Sequence, residues 1–297
     1  MKPVTKPLWK PLDDAIRPGF PLRMPASGGQ QFATKKIAVY ARDVCFTAIK
    51  DVKDVKDVKD VKNTRDLKKD PHKLFTGAAA GIGLDSYAVR ARMVQKLVAQ
   101  GVSDSRVIAA LGLVERHRFV DSALVNQAYE DTSLPIGLGQ TISKPNVVAR
   151  MLELLVKGYV GKLGRVLEIG TGCGYQAALL AHLATEVYSI DRLRGLHDKA
   201  RDNLRPLRVA NLHLIFGDGM LGYAKGAPYA AIIAAAGGEA LPQAWLDQLA
   251  VGGVLVAPVQ NVGGAQALVV VNKTASGITQ TLLEPVHFVP LKSGTSR

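Results

Sequence analysis

Apolar residues recur at helical spacing along three segments in the part of the chain that follows residue 85. In the first segment Val89 and Leu97 fall on one helical face, and Gly101 is placed to end the helix. The second segment is shorter, and Ser103 is placed to cap its N-terminus. The third segment follows Ser143. This periodicity predicts an N-terminal helical subdomain.

Short apolar runs alternate with helical segments from Arg165 onwards, and each run has the length of a buried strand. The predicted strands are residues 165–169, 187–190, 212–216, 229–235 and 254–259. The predicted helices between them are residues 175–184, 196–204 and 241–249. This alternation favours an α/β fold, with a doubly wound, mainly parallel Rossmann-like sheet.

The apolar pattern changes again near the end of the sequence, where three runs follow one another without helices between them. They are residues 266–271, 278–283 and 286–291. Consecutive strands joined by short connections pair in the antiparallel sense. We therefore expect the parallel sheet to end in antiparallel C-terminal strands.

Residues 1–85 differ from the rest of the chain in pattern. The triplet Asp51-Val52-Lys53 is repeated four times through Lys62. Its period of three matches neither a strand nor a helical face, and its valines cannot bury enough apolar surface to offset the entropy of ordering. A short solvated helix stays open, because Asp and Lys can pair along its surface. We predict a disordered or weakly helical, low-complexity basic tail, followed by one domain over residues 86–297.

Composition and charge narrow the class of protein. A hydrophobic fraction of 47% fits a globular chain. We find neither an apolar run of membrane-spanning length nor the apolar core of a secretory signal, and Cys45 and Cys173 are too few for a disulfide framework. The net charge is +13, and the tail is denser in positive charge than the remainder. A solvated spacer is favoured there over a site for anionic partners, and no interleaved aromatics support nucleic-acid stacking. We expect a cytoplasmic monomer that binds neither membranes nor specific nucleic acid.

A glycine-rich loop follows the first predicted strand, with glycines at Gly170, Gly172 and Gly174 and an acid, Glu168, two residues before the first of them. Glycines permit a tight turn and let the main chain approach a ligand, while the next helix directs its N-terminus at the same crevice. Dinucleotide-binding loops prefer G-x-G-x-x-G. The spacing here is G-x-G-x-G, which resembles the S-adenosylmethionine loop of class I methyltransferases. A glycine-rich turn without a ligand is the alternative.

Two acids follow later strands of the predicted sheet. Asp191 ends the second strand, about 20 positions after the glycine loop, where an acid can accept hydrogen bonds from ribose hydroxyls. Asp218 and Gly219 follow the third strand, and Asp218 is placed to meet an adenine amino group. Either acid could instead be an exposed loop carboxylate or a helix N-cap. Taken with the glycine loop, the two acids favour S-adenosyl-L-methionine as the cofactor.

From about residue 86 to its end, the chain resembles the bacterial protein-L-isoaspartate O-methyltransferase family. The specific part is the segment from Leu134 to Pro145, which is similar to the family's signature loop ahead of the methyltransferase core. Three further segments fit, namely the glycine loop with Tyr175-Gln176, the turn Gly217-Asp218-Gly219 and the ending from Pro285 to Leu291. The tail has no counterpart in the family core.

The resemblance implies methylation of the α-carboxylate of L-isoaspartyl and D-aspartyl residues in damaged proteins, whose repair then proceeds through a succinimide. It implies that Ser143 is the active-site residue, although a serine before Lys144-Pro145 also suits a helix N-cap. It implies no metal. The substrate-binding residues that it implies are Ile136, Gly137, Gly139, Thr141 and Val289.

Three departures from the family pattern keep alternatives open. Ala230 stands where an aspartate is usual, residues 234–238 lack the usual threonine and proline, and Gln260 stands where a glycine is usual. All three are expected beside the donor pocket, near the ends of the fourth and fifth strands. The alternatives are a class I methyltransferase that acts on another carboxylate or a small molecule, and a protein that binds S-adenosylmethionine or an isoaspartyl peptide without turnover. A nicotinamide dehydrogenase fits the fold, but its glycine spacing is missing.

Overall fold

The structure is a computed structural model that describes residues 86–261 and 263–296. The tail predicted over residues 1–85 lies outside the described residues. The described residues belong to the domain predicted over residues 86–297. Among the helices that the structure describes, none combines the length and the apolar character needed to cross a bilayer.

An α-helical part precedes the main sheet. Its helices are α1 (Ser86–Ala99), α2 (Ser105–Leu113) and α3 (Pro145–Val156). Between α2 and α3 lie two 3-10 helices, Arg116–Phe119 and Ser122–Gln127, and an antiparallel hairpin of β1 (Leu134–Gly137) and β2 (Gln140–Ile142). Leu97, Leu111 and Leu152 bring the apolar faces of the three helices into one core, which also covers one side of the main sheet. The predicted N-terminal helical subdomain is confirmed.

The main sheet has seven strands in the described part of the chain. They are β3 (Leu163–Ile169), β4 (Ala184–Asp191), β5 (Leu212–Phe216), β6 (Tyr229–Ala234), β7 (Leu249–Gln260), β8 (Gln266–Thr274) and β9 (Gly277–Val286). The helices that connect them are α4 (Tyr175–Leu183), α5 (Arg194–Leu204) and α6 (Gln243–Gln248). Three 3-10 helices, Arg205–Leu207, Gly219–Leu221 and Ala224–Gly226, complete the connections.

Strand order explains where a ligand site belongs. The order is β5-β4-β3-β6-β7-β8-β9, in which β3 to β7 pair in parallel and β8 and β9 are antiparallel. The chain leaves β3 towards β4 on one side and returns to β6 on the other, so the order reverses at β3. In open α/β sheets, ligands bind outside the carboxyl ends of the strands at such a switch point. The predicted parallel sheet with antiparallel C-terminal strands is confirmed.

The last predicted strand, residues 286–291, is wrong as a sheet strand. β9 ends at Val286, and the following segment turns across the carboxyl end of the sheet. It meets the loop after β6, where Gly237 N–H donates to the Val289 carbonyl at 2.9 Å and Leu291 N–H donates to the Gly237 carbonyl at 2.8 Å. The segment is extended and apolar, as predicted, but its partner is a loop. Pro290, which has no N–H, limits it to an isolated bridge.

The N-terminus of α2 also differs from the prediction. Asp104, not Ser103, is the N-cap, and its side chain accepts the N–H groups of Arg106 and Val107. The Ser103 N–H instead donates to Glu153 on α3. The cap is thus displaced by one residue, and Glu153 ties the start of α2 to α3.

Candidate active site

The glycine loop lies at the carboxyl end of β3, where the predicted ligand crevice opens. Gly170 N–H donates to the Ile190 carbonyl at 2.8 Å, which fastens the start of the loop to β4. Gly172 has φ +56°, and a Cβ there would stand 3.2 Å from Ile136 Cδ1. A side chain at Gly172 would therefore be strained and would also crowd the hairpin that faces the loop. Gly174, with φ +93°, immediately precedes α4.

Asp191 is a fixed carboxylate at the end of β4. It is only 6% exposed. Its Oδ2 accepts the Gly172 N–H at 2.8 Å and its Oδ1 accepts the Leu193 N–H at 2.9 Å. Burial raises the pKa of Asp191, and the two backbone donors offset that rise in part. Each oxygen keeps a further lone pair, so the carboxylate can also accept hydrogen bonds from ligand hydroxyls.

Glu168 lies beneath the loop and is fully buried. The Ser189 hydroxyl on β4 donates to its Oε2, and the Thr171 and Ser189 hydroxyl oxygens are 2.6 Å apart. Burial raises the pKa of Glu168 to about 8. Its side chain is not among those that line the clefts described below, so here the predicted cofactor residue supports the loop from inside the sheet.

Asp218 and Gly219 begin the 3-10 helix after β5. Asp218 Oδ1 accepts the Met220 N–H at 2.9 Å, and its Oδ2 accepts the Gly294 N–H at 2.6 Å. The alternative role of Asp218 as a helix N-cap is therefore realised. Gly219 lines the larger cleft, whereas Asp218 does not. The Asp218 side chain is instead bonded to Gly294 of the C-terminal segment.

The C-terminal segment forms a wall of the site, and Val289 is its one residue among the predicted site residues. Ser296 N–H donates to the Arg192 carbonyl at 2.8 Å, and Arg194 N–H donates to the Ser296 carbonyl at 3.0 Å. These bonds carry Leu291 and Lys292 over the ends of β4 and β5, where both line the larger cleft. The family-like ending from Pro285 to Leu291 was the available signal, but it was interpreted as a strand.

Two clefts open along the carboxyl edge of the sheet. The larger cleft, of about 460 Å³, is bounded by the glycine loop, the end of β4, the hairpin and the C-terminal segment. The smaller cleft, of about 320 Å³, is bounded by β2, the start of α3 and residues 285–289. Thr141, Ala235 and Val289 line both clefts, so the two spaces meet at these residues. The two clefts are therefore adjacent.

The hairpin supplies most of the predicted substrate residues. Ile136, Gly139 and Thr141 line the larger cleft, Thr141 also lines the smaller one, and Gly137 shapes the turn with φ +96°. Lys199 on α5 donates to the Ile136 carbonyl at 2.9 Å. The structure thus brings the hairpin against the glycine loop and holds it there from α5.

Ser143 lies in the smaller cleft, directly after β2. Its carbonyl accepts an N–H of Arg116 at 2.7 Å, and within the described residues its hydroxyl has no hydrogen-bond partner. Lys144, not Ser143, occupies the N-cap position of α3, which has no side-chain cap bond. The capping alternative for Ser143 is therefore wrong, and its hydroxyl is available to a ligand.

The three departures from the family pattern do not all lie at the clefts. Ala230 is near the start of β6, the end of the strand opposite to the site, and it faces Gly164. Gln260 ends β7, and its N–H donates to the Gly238 carbonyl at 2.9 Å. The expectation that all three lie beside the donor pocket is wrong for Ala230. Gln260 lines neither cleft, whereas Ala235 and Ala236 of the third departure line the larger cleft, as expected.

Over residues 86–261 and 263–296, no group of three or more His, Cys, Asp or Glu side chains is arranged to hold a metal ion.

Comparisons with known proteins agree with this arrangement. The family model described as protein-L-isoaspartate(D-aspartate) O-methyltransferase matches residues 88–296. A protein-L-isoaspartate O-methyltransferase of Methylibium petroleiphilum is 62% identical over 219 residues, which is 73% of this chain and 81% of that protein. One of Leptothrix cholodnii is 62% identical over 220 residues, 73% of this chain and 78% of that protein.

Solved structures have the same fold. A protein-L-isoaspartate O-methyltransferase superposes with a TM-score of 0.63 at 26% identity, covering 69% of this chain and 66% of that one. A Plasmodium falciparum structure assigned to the same enzyme class, in complex with S-adenosyl-L-homocysteine, superposes with a TM-score of 0.61 at 24% identity, covering 68% of this chain and 98% of that one. The family model spans most of the chain and the bacterial relatives are similar over most of their length, so the chain belongs to the protein-L-isoaspartate (D-aspartate) O-methyltransferase family.

Proposed function

We propose that this chain transfers the methyl group of S-adenosyl-L-methionine to the α-carboxylate of L-isoaspartyl and D-aspartyl residues in damaged proteins, which initiates repair through a succinimide. The observation that carries the proposal is the meeting of the two clefts at Thr141, Ala235 and Val289. The larger cleft would hold the methyl donor and the smaller one the methyl acceptor. Membership of the family supports both assignments.

The larger cleft fits the donor in size and in chemistry. Its volume of about 460 Å³ is in the range of small-molecule sites, about 300–1,000 Å³. Asp191 offers a fixed carboxylate to ribose hydroxyls, and Gly170 and Gly172 of the glycine loop line the cleft. Gly219 would contact the adenine, and Asp218 would act through the turn that it caps. When bound, S-adenosylmethionine supplies a methyl group that is already activated by its sulfonium.

The smaller cleft suits a carboxylate acceptor. An α-carboxylate has an unperturbed pKa of about 3.3–3.7, so it is ionised at neutral pH and needs no strong general base. Ser143 offers a neutral hydroxyl that has no other partner in the described chain. A neutral donor orients the carboxylate oxygen without the strong ground-state stabilisation that a close cation would give.

The residues shared by the two clefts set the geometry of transfer. Methyl transfer requires the carboxylate oxygen, the methyl carbon and the sulfur to lie in line. Thr141, Ala235 and Val289 form a small junction, which would hold the two reactants next to each other. The hairpin carries Thr141 and the C-terminal segment carries Val289, so both would help to align the two ligands.

We further propose that the enzyme works as a monomer in the cytoplasm, on isoaspartyl proteins and peptides and without a specific nucleic-acid partner. The sequence has only Cys45 and Cys173, too few for a disulfide framework, as is usual in a reducing compartment. Light scattering at several protein concentrations tests the monomer.

The deciding experiment is methyl transfer to two peptides that differ in one linkage. One peptide contains isoaspartate, and the other has ordinary aspartate at the same position. Transfer of labelled methyl from S-adenosylmethionine to the first peptide alone is expected. Equal transfer to both would favour a less specific carboxyl methyltransferase, and transfer to neither, with S-adenosylhomocysteine still bound, would favour a binding protein.

A further inference from the structure

Arg116 is a buried cation that the mechanism above does not use. It begins the 3-10 helix Arg116–Phe119, and its relative exposure is 0%. In the described part of the chain no carboxylate pairs with it, and its Nη1 has no hydrogen-bond partner. Burying a charge without an ionic partner is costly, so such a residue calls for an explanation.

The hydrogen bonds of Arg116 lead to the acceptor side of the site. Its Nη2 donates to the Ser143 carbonyl at 2.7 Å, and its Nε donates to the Ala128 carbonyl at 2.8 Å. Ala128 follows the 3-10 helix Ser122–Gln127. The guanidinium therefore links the main chain at Ser143 to the main chain at Ala128, which precedes the hairpin in sequence.

The face of the same guanidinium leads to the donor side. Its Cζ lies 4.8 Å from the centre of the Tyr175 ring, within cation–π distance. Tyr175 is the first residue of α4, immediately after Gly174 of the glycine loop. Phe119 also packs against Tyr175, edge to face, with the ring centres 5.6 Å apart. Arg116 thus stands between Ser143 and the glycine loop. It contacts the main chain of Ser143 and the side chain of Tyr175, which follows the loop.

We propose that Arg116 is a positioning residue, which fixes the main chain of Ser143 relative to the glycine loop and so sets the alignment of acceptor oxygen and methyl donor. The inference rests on the proposed function, because it names what holds Ser143 in the reaction assigned above. Arg116 itself contacts neither cleft, so it acts through Ser143 and Tyr175.

Arginine is the side chain that this position requires. Its planar fork directs Nε and Nη2 to two different carbonyls while its face covers an aromatic ring, whereas the single ammonium of lysine cannot hold the same three contacts at once. In-line transfer is sensitive to such placement, since a misplacement of about 1 Å can cost about a hundredfold in rate. The burial of the Arg116 guanidinium costs stability. The alignment of Ser143 with the glycine loop, which Arg116 maintains, explains why the residue is present.

The test compares Arg116→Lys and Arg116→Met with Arg106→Lys. Arg106 is a matched control, because it also donates to backbone carbonyls, those of Val156, Tyr159 and Gly161, but contacts neither Ser143 nor Tyr175. Each variant is assayed for kcat and KM with the isoaspartyl peptide, for affinity towards S-adenosylhomocysteine, and for amide hydrogen exchange over residues 140–146.

The two Arg116 variants are expected to exchange faster over residues 140–146 and to lose about tenfold or more in kcat. Their peptide KM and S-adenosylhomocysteine affinity are expected to stay within about threefold of wild type, because the ligand contacts remain. Arg106→Lys is expected to lower the denaturant midpoint without either effect. If Arg116→Met does not fold, Arg116→Lys decides, since it keeps the charge and most of the volume.

Unchanged exchange over residues 140–146 in folded Arg116→Lys would overturn the proposal. So would faster exchange with kcat equal to that of wild type. If wild type itself fails to methylate the isoaspartyl peptide, the proposed function fails, and the exchange measurement still decides whether Arg116 holds the Ser143 main chain.

Discussion

Asp191 Oδ2 accepts the N–H of Gly172 at 2.8 Å, which joins the end of β4 to the middle of the glycine loop. The bond gives the carboxylate two roles, because the group that would meet the ribose also fixes the loop around the donor. Leu193 N–H, bonded to the other oxygen at 2.9 Å, prevents the carboxylate from rotating. The donor side of the site is therefore built before a ligand arrives.

Asp191→Ala tests this carboxylate. Losing a charge-assisted hydrogen bond costs about 1.5–3 kcal/mol, so S-adenosylhomocysteine affinity is expected to fall about ten- to a hundredfold. Titration calorimetry on the folded variant measures the change. Asp202→Ala removes an exposed carboxylate on α5 and serves as the control. An affinity equal to that of wild type in folded Asp191→Ala would remove Asp191 from the cofactor site.

The sheet could be predicted from the sequence because its strands are short, apolar and buried. The predicted bounds 212–216 match β5, and β3, β4, β6 and β7 each contain or overlap the predicted run. Residues 286–291 could not be assigned in this way. An extended apolar segment that crosses a sheet edge has the same side-chain pattern as a strand within the sheet, and only its partner, Gly237, distinguishes them.

A local motif marks some positions of the candidate site in the sequence, whereas packing decides the surroundings of others. Asp191 is marked by its place at a strand end. Glu168 carries an equally clear motif, yet the packing of β3 against β4 turns its side chain towards Ser189. Arg116 and Ser143 are 27 positions apart, a separation that no local pattern connects. Long-range contacts of this kind appear only when the fold is assembled.

Glu168→Gln tests the buried carboxyl beneath the loop. Burial raises the pKa of Glu168 to about 8, whereas an unfolded glutamate has a pKa of about 4.3. Between these values the folded protein holds a proton that the unfolded chain has lost. Its free energy of unfolding therefore falls as pH rises, by up to about 1.4 kcal/mol per pH unit. Glutamine has no such proton, so the variant is expected to gain stability relative to wild type between about pH 5 and pH 8.

Urea unfolding without a donor ligand, at several pH values in that range, measures the difference between Glu168→Gln and wild type. Glu239→Gln, an exposed position, provides the baseline for losing one carboxylate. A difference that does not change with pH, or that shifts in favour of wild type as pH rises, would show that Glu168 is ionised in the folded protein.

Deletion of residues 1–85 tests the prediction for the tail. The Asp-Val-Lys repeat offers too little apolar surface to belong to a core. The truncated protein is therefore expected to keep its thermal midpoint and its methylation rate. Calorimetric melting and the isoaspartyl peptide assay measure the two quantities beside the full chain. A midpoint several degrees lower, or a large fall in rate, would show that the tail contributes to the folded enzyme.

Ser143→Ala separates catalysis from helix capping. The Ser143 hydroxyl has no partner within the described chain, and Lys144 occupies the N-cap position of α3. Removing the hydroxyl is therefore expected to change the free energy of unfolding by less than about 0.5 kcal/mol. A serine cap would lose about 1 kcal/mol. Denaturant titration measures this difference, with Ser122→Ala as an exposed control outside both clefts.

The same Ser143→Ala variant is expected to lose about ten- to a thousandfold in turnover, the range for removing one donor positioned at a reacting oxygen. Its affinity for S-adenosylhomocysteine is expected to stay unchanged, because Ser143 lines the smaller cleft and not the larger one. Steady-state kinetics with the isoaspartyl peptide and calorimetry on one preparation give both values. If Ser143→Ala binds S-adenosylhomocysteine normally and turns over at the wild-type rate, the Ser143 hydroxyl has no role in catalysis. Backbone N–H groups of the hairpin would then orient the carboxylate.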